Sequence, residues 1–142
     1  MNLTLRRIFL VITSLVGTFV GVWAAFLPTE FYESFPGLGL GPWVAVDGPF
    51  NEHLVRDVGA LYLGLAVAGF YAASTATAQA GRAVAVAWIV FSIPHLAYHL
   101  GHLEGLDALN VAVEIVSLSS TIVLAAPLLL PVRAKEDSRA PR

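Results

Sequence analysis

Four long apolar stretches, separated by short segments that collect the Gly, Pro and charged residues, define the elements of this chain. They lie at about 8–27, 50–73, 83–102 and 108–130, each long enough to cross the roughly 30 Å hydrocarbon layer of a bilayer as a helix. The predicted fold is all-α, an integral membrane four-helix bundle spanning residues 1–132, followed by a disordered tail at 133–142. Asn51 and Asp107 stand where side-chain oxygens cap the second and fourth helices. The short connections STATAQAG and GHLEGLD make neighbouring helices antiparallel. Between the first two spans lies a longer Gly/Pro-rich loop carrying Phe31, Tyr32, Phe35, Trp43 and Phe50, too aromatic for a free linker. It reads as a short interfacial helix over 29–35 and a lid at headgroup level.

Composition supports the bilayer as solvent. Of 142 residues, 57% are hydrophobic and only 13% charged, which fits one membrane domain rather than a soluble one. The first span follows Arg6 and Arg7 in the manner of a signal peptide, but its run of about 20 apolar residues exceeds a signal core and reads as a retained anchor. Gly17 and Gly21 within it form a small-xxx-small pair for close helix packing, and Gly59, Gly64 and Gly69 suit the same role on the second span. The chain has no cysteine, which excludes disulfides, thiolate metal sites and CxxCH haem attachment.

Seven of the eight basic residues flank the ends that should face the cytoplasm, so both termini are placed there. Arg56 is left alone on the outer side with the acids Glu30, Glu33, Asp47, Glu52, Asp57, Glu104, Asp107 and Glu114. The localisation that follows is a multi-pass protein of a bacterial inner membrane. Nothing in this charge pattern supports nucleic-acid binding, since the basic cluster is a short tail suited to topology and anionic lipids.

Candidate chemistry lies in stripes of polar residues at helical spacing. Trp88, Ser92, His95, His99 and His102 share one face of the third span, with Pro94 expected to kink it and free a carbonyl. Asp107, Asn110, Glu114, Ser117 and Thr121 share one face of the fourth. At about 1.5 Å per residue these stripes put Glu114 beside His95. His53 with Asp57, and Glu52 with Arg56, pair at i, i+4 on the second span at the same level. Arg56 reads as the counter-charge that keeps Asp57 or Glu114 ionised. Intramembrane ionisable groups are rare and usually functional, whereas His102, near the interface, also reads as an ordinary wet residue.

Histidine with carboxylate and no sulfur suits zinc, iron, copper or manganese, so His95, His99, Glu114, His53, Asp57 and His102 form the candidate metal-ligand set. Haem b is a second cofactor reading, with His53 and either His95 or His99 as axial ligands. A non-metal reading remains open, in which the same groups relay protons or bind a cationic or quinone-like ligand. The RDVGALYLGLAVAG stretch, the PHLAYHLGHLEGLD segment and the four-span layout resemble the DoxX-like four-helix membrane proteins over most of residues 5–130. That resemblance implies the bundle and an association with membrane oxidoreductase systems, and it supplies no catalytic residue. Three functions therefore follow as expectations: a metal- or haem-binding member of an oxidoreductase system, a non-enzymatic accessory or scaffold subunit of a larger complex, or a small proton-coupled transport or sensor protein. Whether the chain is an enzyme stays open. Four helices promise little internal volume, which points to a homo-oligomer or larger assembly.

Overall fold

The computed structural model describes residues 1–75 and 77–131; the tail read from sequence as disordered lies outside the described residues. Helix α1 (Leu3–Phe26) begins at Asn2, whose side chain accepts from Leu5 N–H at 2.8 Å. Two short helices follow, α2 (Pro28–Ser34) and α3 (Trp43–Val46). Then come α4 (Glu52–Thr75), α5 (Ala78–Leu100) and α6 (Ala108–Ala125), which tightens into a 3-10 turn over Ala126–Leu129. Among the described residues the fold is all-helical, and four of its helices are long and apolar enough to cross a membrane.

Sequence and structure agree on both caps: Asn51 accepts from Leu54 N–H at 3.1 Å and Asp107 from Asn110 N–H at 2.8 Å. The third helix starts earlier than its apolar run, because the Thr77 hydroxyl accepts from Ala80 N–H at 3.2 Å and so caps at 77. It ends at Leu100 rather than 102, and it runs as one helix through Pro94. There the missing proline N–H leaves the Val90 carbonyl without its usual intrahelical donor.

Tight packing concentrates along α1 and α4, where glycines let the two backbones approach. A methyl group on Gly21 would stand 2.9 Å from Leu63 N and 3.0 Å from Gly59 O, and one on Gly17 would stand 3.1 Å from Tyr62 O. Gly64, read from sequence as another packing point, faces open space instead. The core is otherwise aliphatic and aromatic, with Leu10, Ala85, Trp88 and Leu128 fully buried. Outside it the protein is apolar too: Phe19, Val67, Val90, Val116 and Val123 are all more than half exposed. Only between 22% and 33% of each long helix's most apolar window is buried, so most of that apolar surface needs lipid as its neighbour.

At the end where α1 begins and the 3-10 turn finishes, Arg6 is fully buried. Its guanidinium donates to the carbonyls of Leu128 at 2.8 Å and Leu130 at 2.5 Å. These are acceptors that a helix C-terminus leaves without intrahelical partners. Its place just before the first apolar run marks Arg6 only as a topological charge, and the packing adds this structural role.

Candidate functional site

At the opposite end, all four long helices line a chamber of about 650 Å³, roofed by α2, Phe35, α3 and the 47–51 segment that leads into α4. This internal volume within a single chain runs against the expectation drawn from the helix count, because the aromatic loop folds back over the bundle as a roof. Phe35 packs edge to face on Trp43 and tilted against Phe31, with Trp23 of α1 edge-on behind both phenylalanines. Asn110 of α6 fastens the roof: its Oδ1 accepts from the Trp43 indole N–H at 2.7 Å and from Gly41 N–H at 2.9 Å. The chain turns at Gly41 with φ 93°, where a Cβ would lie 2.6 Å from Phe35 O, so only glycine fits. The Tyr32 hydroxyl donates to Gly48 O at 2.8 Å and holds the far edge.

The polar part of the chamber comes from the α5–α6 register. The Thr121 hydroxyl donates to Ser92 Oγ at 2.8 Å, a buried bond that fixes the two antiparallel helices against each other. Moving seven residues, two helical turns, along each helix from that bond brings His99 opposite Glu114. His99 Nδ1 lies 2.9 Å from Glu114 Oε1, an ion-pair contact out of line for an N–H hydrogen bond. Asp47, at the end of α3, brings a second carboxylate, with Oδ2 at 3.8 Å from the same ring nitrogen. Burial under the roof pushes the Asp47 carboxyl up from its ordinary range, opposed by His99 and His102. Glu114 is only 2% exposed, and its Oε2 has no hydrogen-bond partner among the described residues.

The predicted pairing of Glu114 with His95 is therefore corrected by one turn. Counting depth from the loop placed the helices a turn out of register, because it lacked the Ser92–Thr121 bond. His95 instead stacks on Phe91 with centroids 5.1 Å apart and meets His99 edge to face at 4.8 Å, still on the chamber wall.

The second-span residues do not join the site. His53 is 87% exposed and pairs with Asp57 at 3.0 Å, and neither lines the chamber. His102 is exposed, stacked on Tyr98 and bonded through Nδ1 to the Tyr98 carbonyl at 2.7 Å. Thus the six-residue ligand set is not assembled, and among the described residues no three His, Cys, Asp or Glu side chains are arranged to hold a metal ion. With His53 outside the chamber, the axial pair read for haem b does not converge either.

Arg56 is not the counter-charge of Asp57 or Glu114. Its Nε donates to Glu52 Oε1 at 2.8 Å and its Nη1 to the Ala25 carbonyl, since the start of α4 lies against the carbonyl-rich end of α1. Asp107 keeps its capping role, and the hydrogen bonds from Asn110 hold its carboxyl below the usual range.

Sequence reasoning overlooked Asp47 as a site residue. Its signal was local: WVAVD is a short apolar turn within the Gly/Pro-rich loop, and it ends on an acid. Comparison with family models, curated proteins and solved structures finds no match to this chain.

Proposed function

We propose that this chain is a multi-pass membrane protein that binds a small amphiphilic molecule in the chamber, with the Asp47, His99 and Glu114 cluster meeting its polar end. The carrying observation is a roofed cavity of about 650 Å³, mostly apolar, with a few convergent polar groups. Small-molecule sites have that character and run to roughly 300–1,000 Å³. The binding unit on this reading is a single chain, and the activity is ligand capture by a transport or sensor protein.

The distribution of basic residues supports an orientation with both chain ends in the cytoplasm, as in a bacterial inner membrane. The chamber then opens toward the outer side. Because the chain has no cysteine, Leu38→Cys introduces a single thiol at a fully exposed roof position. A membrane-impermeant maleimide added to intact cells is expected to label it; labelling only after lysis would reverse the orientation.

Occupancy is tested with a series of phenylalkanols added to the purified protein. Saturating probe is expected to stabilise the fold, by about 2.7 kcal/mol at a hundredfold excess over Kd. Val58→Trp places an indole in the chamber wall and is expected to abolish that shift, read against the variant's own unliganded melting temperature. Equal probe shifts in wild type and Val58→Trp would refute the chamber as the site.

A further inference from the structure

We infer that the occupant is an organic cation, an amphiphilic ammonium whose charged group sits against Asp47 and Glu114 while its apolar body lies along the aromatic wall. The inference rests on the chamber being a binding site and names the chemistry of its ligand. Two carboxylates converge on one imidazole nitrogen, His99 Nδ1, at 2.9 Å from Glu114 and 3.8 Å from Asp47. His99 can offset one carboxylate at most, and burial pushes the Asp47 carboxyl towards its neutral form, so both carboxylates ionise together in this pocket only with a further positive charge beside them. A buried charge of that kind calls for a counter-ion.

Among the described residues no lysine or arginine lines the chamber, and His102, the other imidazole that acts on Asp47, is exposed. Arg56, the one arginine that the charge pattern leaves on the outer side, is engaged with Glu52 and the Ala25 carbonyl and does not line the chamber. Glu114 Oε2, buried and unpartnered, is the second and independent sign, because buried polar atoms in native proteins ordinarily have partners. A metal ion is disfavoured by the donor arrangement. An anion would meet two carboxylates at close range. A neutral alcohol would satisfy a carboxylate oxygen but leave the charge uncompensated.

The walls suit the same ligand. Tyr32, Trp43, Phe50 and Tyr98 line the chamber, and aromatic faces attract quaternary and primary ammonium groups, most strongly where water is excluded. The acidic end of the bundle adds a field that draws cations toward the mouth.

The test compares 4-phenylbutyl-trimethylammonium with its neutral isostere, in which carbon replaces nitrogen, so that the probes differ in charge alone. Equilibrium binding is measured to the protein in zwitterionic-lipid nanodiscs, with empty nanodiscs as blank. The cation is expected to bind about tenfold or more tighter than the isostere. Asp47→Asn with Glu114→Gln is expected to erase that preference without weakening the isostere. Asp47→Asn alone, a change in the loop outside the long helices, is expected to remove part of it.

Equal affinities for the two probes in wild type, or a preference unchanged in the double variant, would overturn the cation. In that event, phenylalkanol binding blocked by Val58→Trp would still leave the chamber as a site for neutral amphiphiles. Failure of every probe to bind, with Val58→Trp indistinguishable from wild type, would overturn both readings.

Discussion

Gly59→Val is expected to separate α1 from α4 and leave little folded protein. The glycine stands where the two backbones nearly touch. A Cβ placed there would fall within 2.9 Å of both Ala24 C and Ala25 Cα, and closer still to Ala25 N. Those are main-chain atoms of a helix, which cannot turn aside as the end of a flexible side chain can. Inserting methyl groups into a packed core commonly costs about 1–3 kcal/mol, and a clash with backbone belongs at or above the upper end of that range. The measurement is thermal unfolding and monodispersity after detergent extraction, with Gly64→Ala beside it. Gly64 meets nothing within 4 Å, so its replacement is expected to be neutral, or stabilising by up to about 1 kcal/mol through helix propensity. A Gly59→Val protein that melts like wild type would mean that the α1–α4 seam is not as close as described.

The contrast between Gly59 and Gly64 shows what periodicity conveys and what it withholds. A stretch of 24 residues with glycines at 59, 64 and 69 announces a helix with close-packing capacity, and α4 is that helix. The spacing does not say which glycine meets a neighbour, because that depends on the rotation of α4 against α1. Helix existence and caps were legible because they rest on local chemistry: an apolar run, then Asn51 or Asp107 at its start. Register between helices was not. His99 and Glu114 are 15 residues apart in sequence, and a slip of one turn exchanges His99 for His95.

The same limit explains the site. The face of α6 carrying Asn110, Glu114 and Thr121 does turn inward, since lipid would reject those side chains. The stripe on α5 turns inward at Trp88 and Ser92, remains on the chamber wall at His95 and His99, and reaches solvent at His102. The third participant, Asp47, comes from a loop whose path is fixed by two hydrogen bonds to Asn110, and no periodicity runs through such a loop. On α4 the opposite happened. His53 and Asp57 sit at a spacing that suggested joint ligation, and they satisfy each other at the surface instead, an i, i+4 contact that needs no partner helix.

Arg6→Met is expected to destabilise the bundle by about 3 kcal/mol or more, the loss of a charged donor from the Leu128 and Leu130 carbonyls and of a longer bond to the Ala78 carbonyl, with the buried Leu128 acceptor left behind. Methionine retains much of the apolar length of the side chain, so the change isolates the guanidinium rather than the packing. In the folded protein Arg6 is fully buried, and its two amino groups reach the Leu128 and Leu130 carbonyls where the final turn runs out of donors of its own. Gly81 makes the space: a Cβ there would stand 2.7 Å from the Arg6 Nη1 atom. Lysine is expected to restore only part of the stability, because its compact ammonium lacks the planar fork that serves two carbonyls at once. Arg7→Met provides the control, since Arg7 is exposed and its loss removes the same charge from the same end of the first span. Unfolding in mixed micelles should therefore separate Arg6→Met from Arg7→Met, while a cysteine-labelling assay of orientation should not. If the two arginine variants unfold alike, Arg6 acts through membrane topology alone, and the link it makes between the first helix and the end of the last contributes nothing to stability.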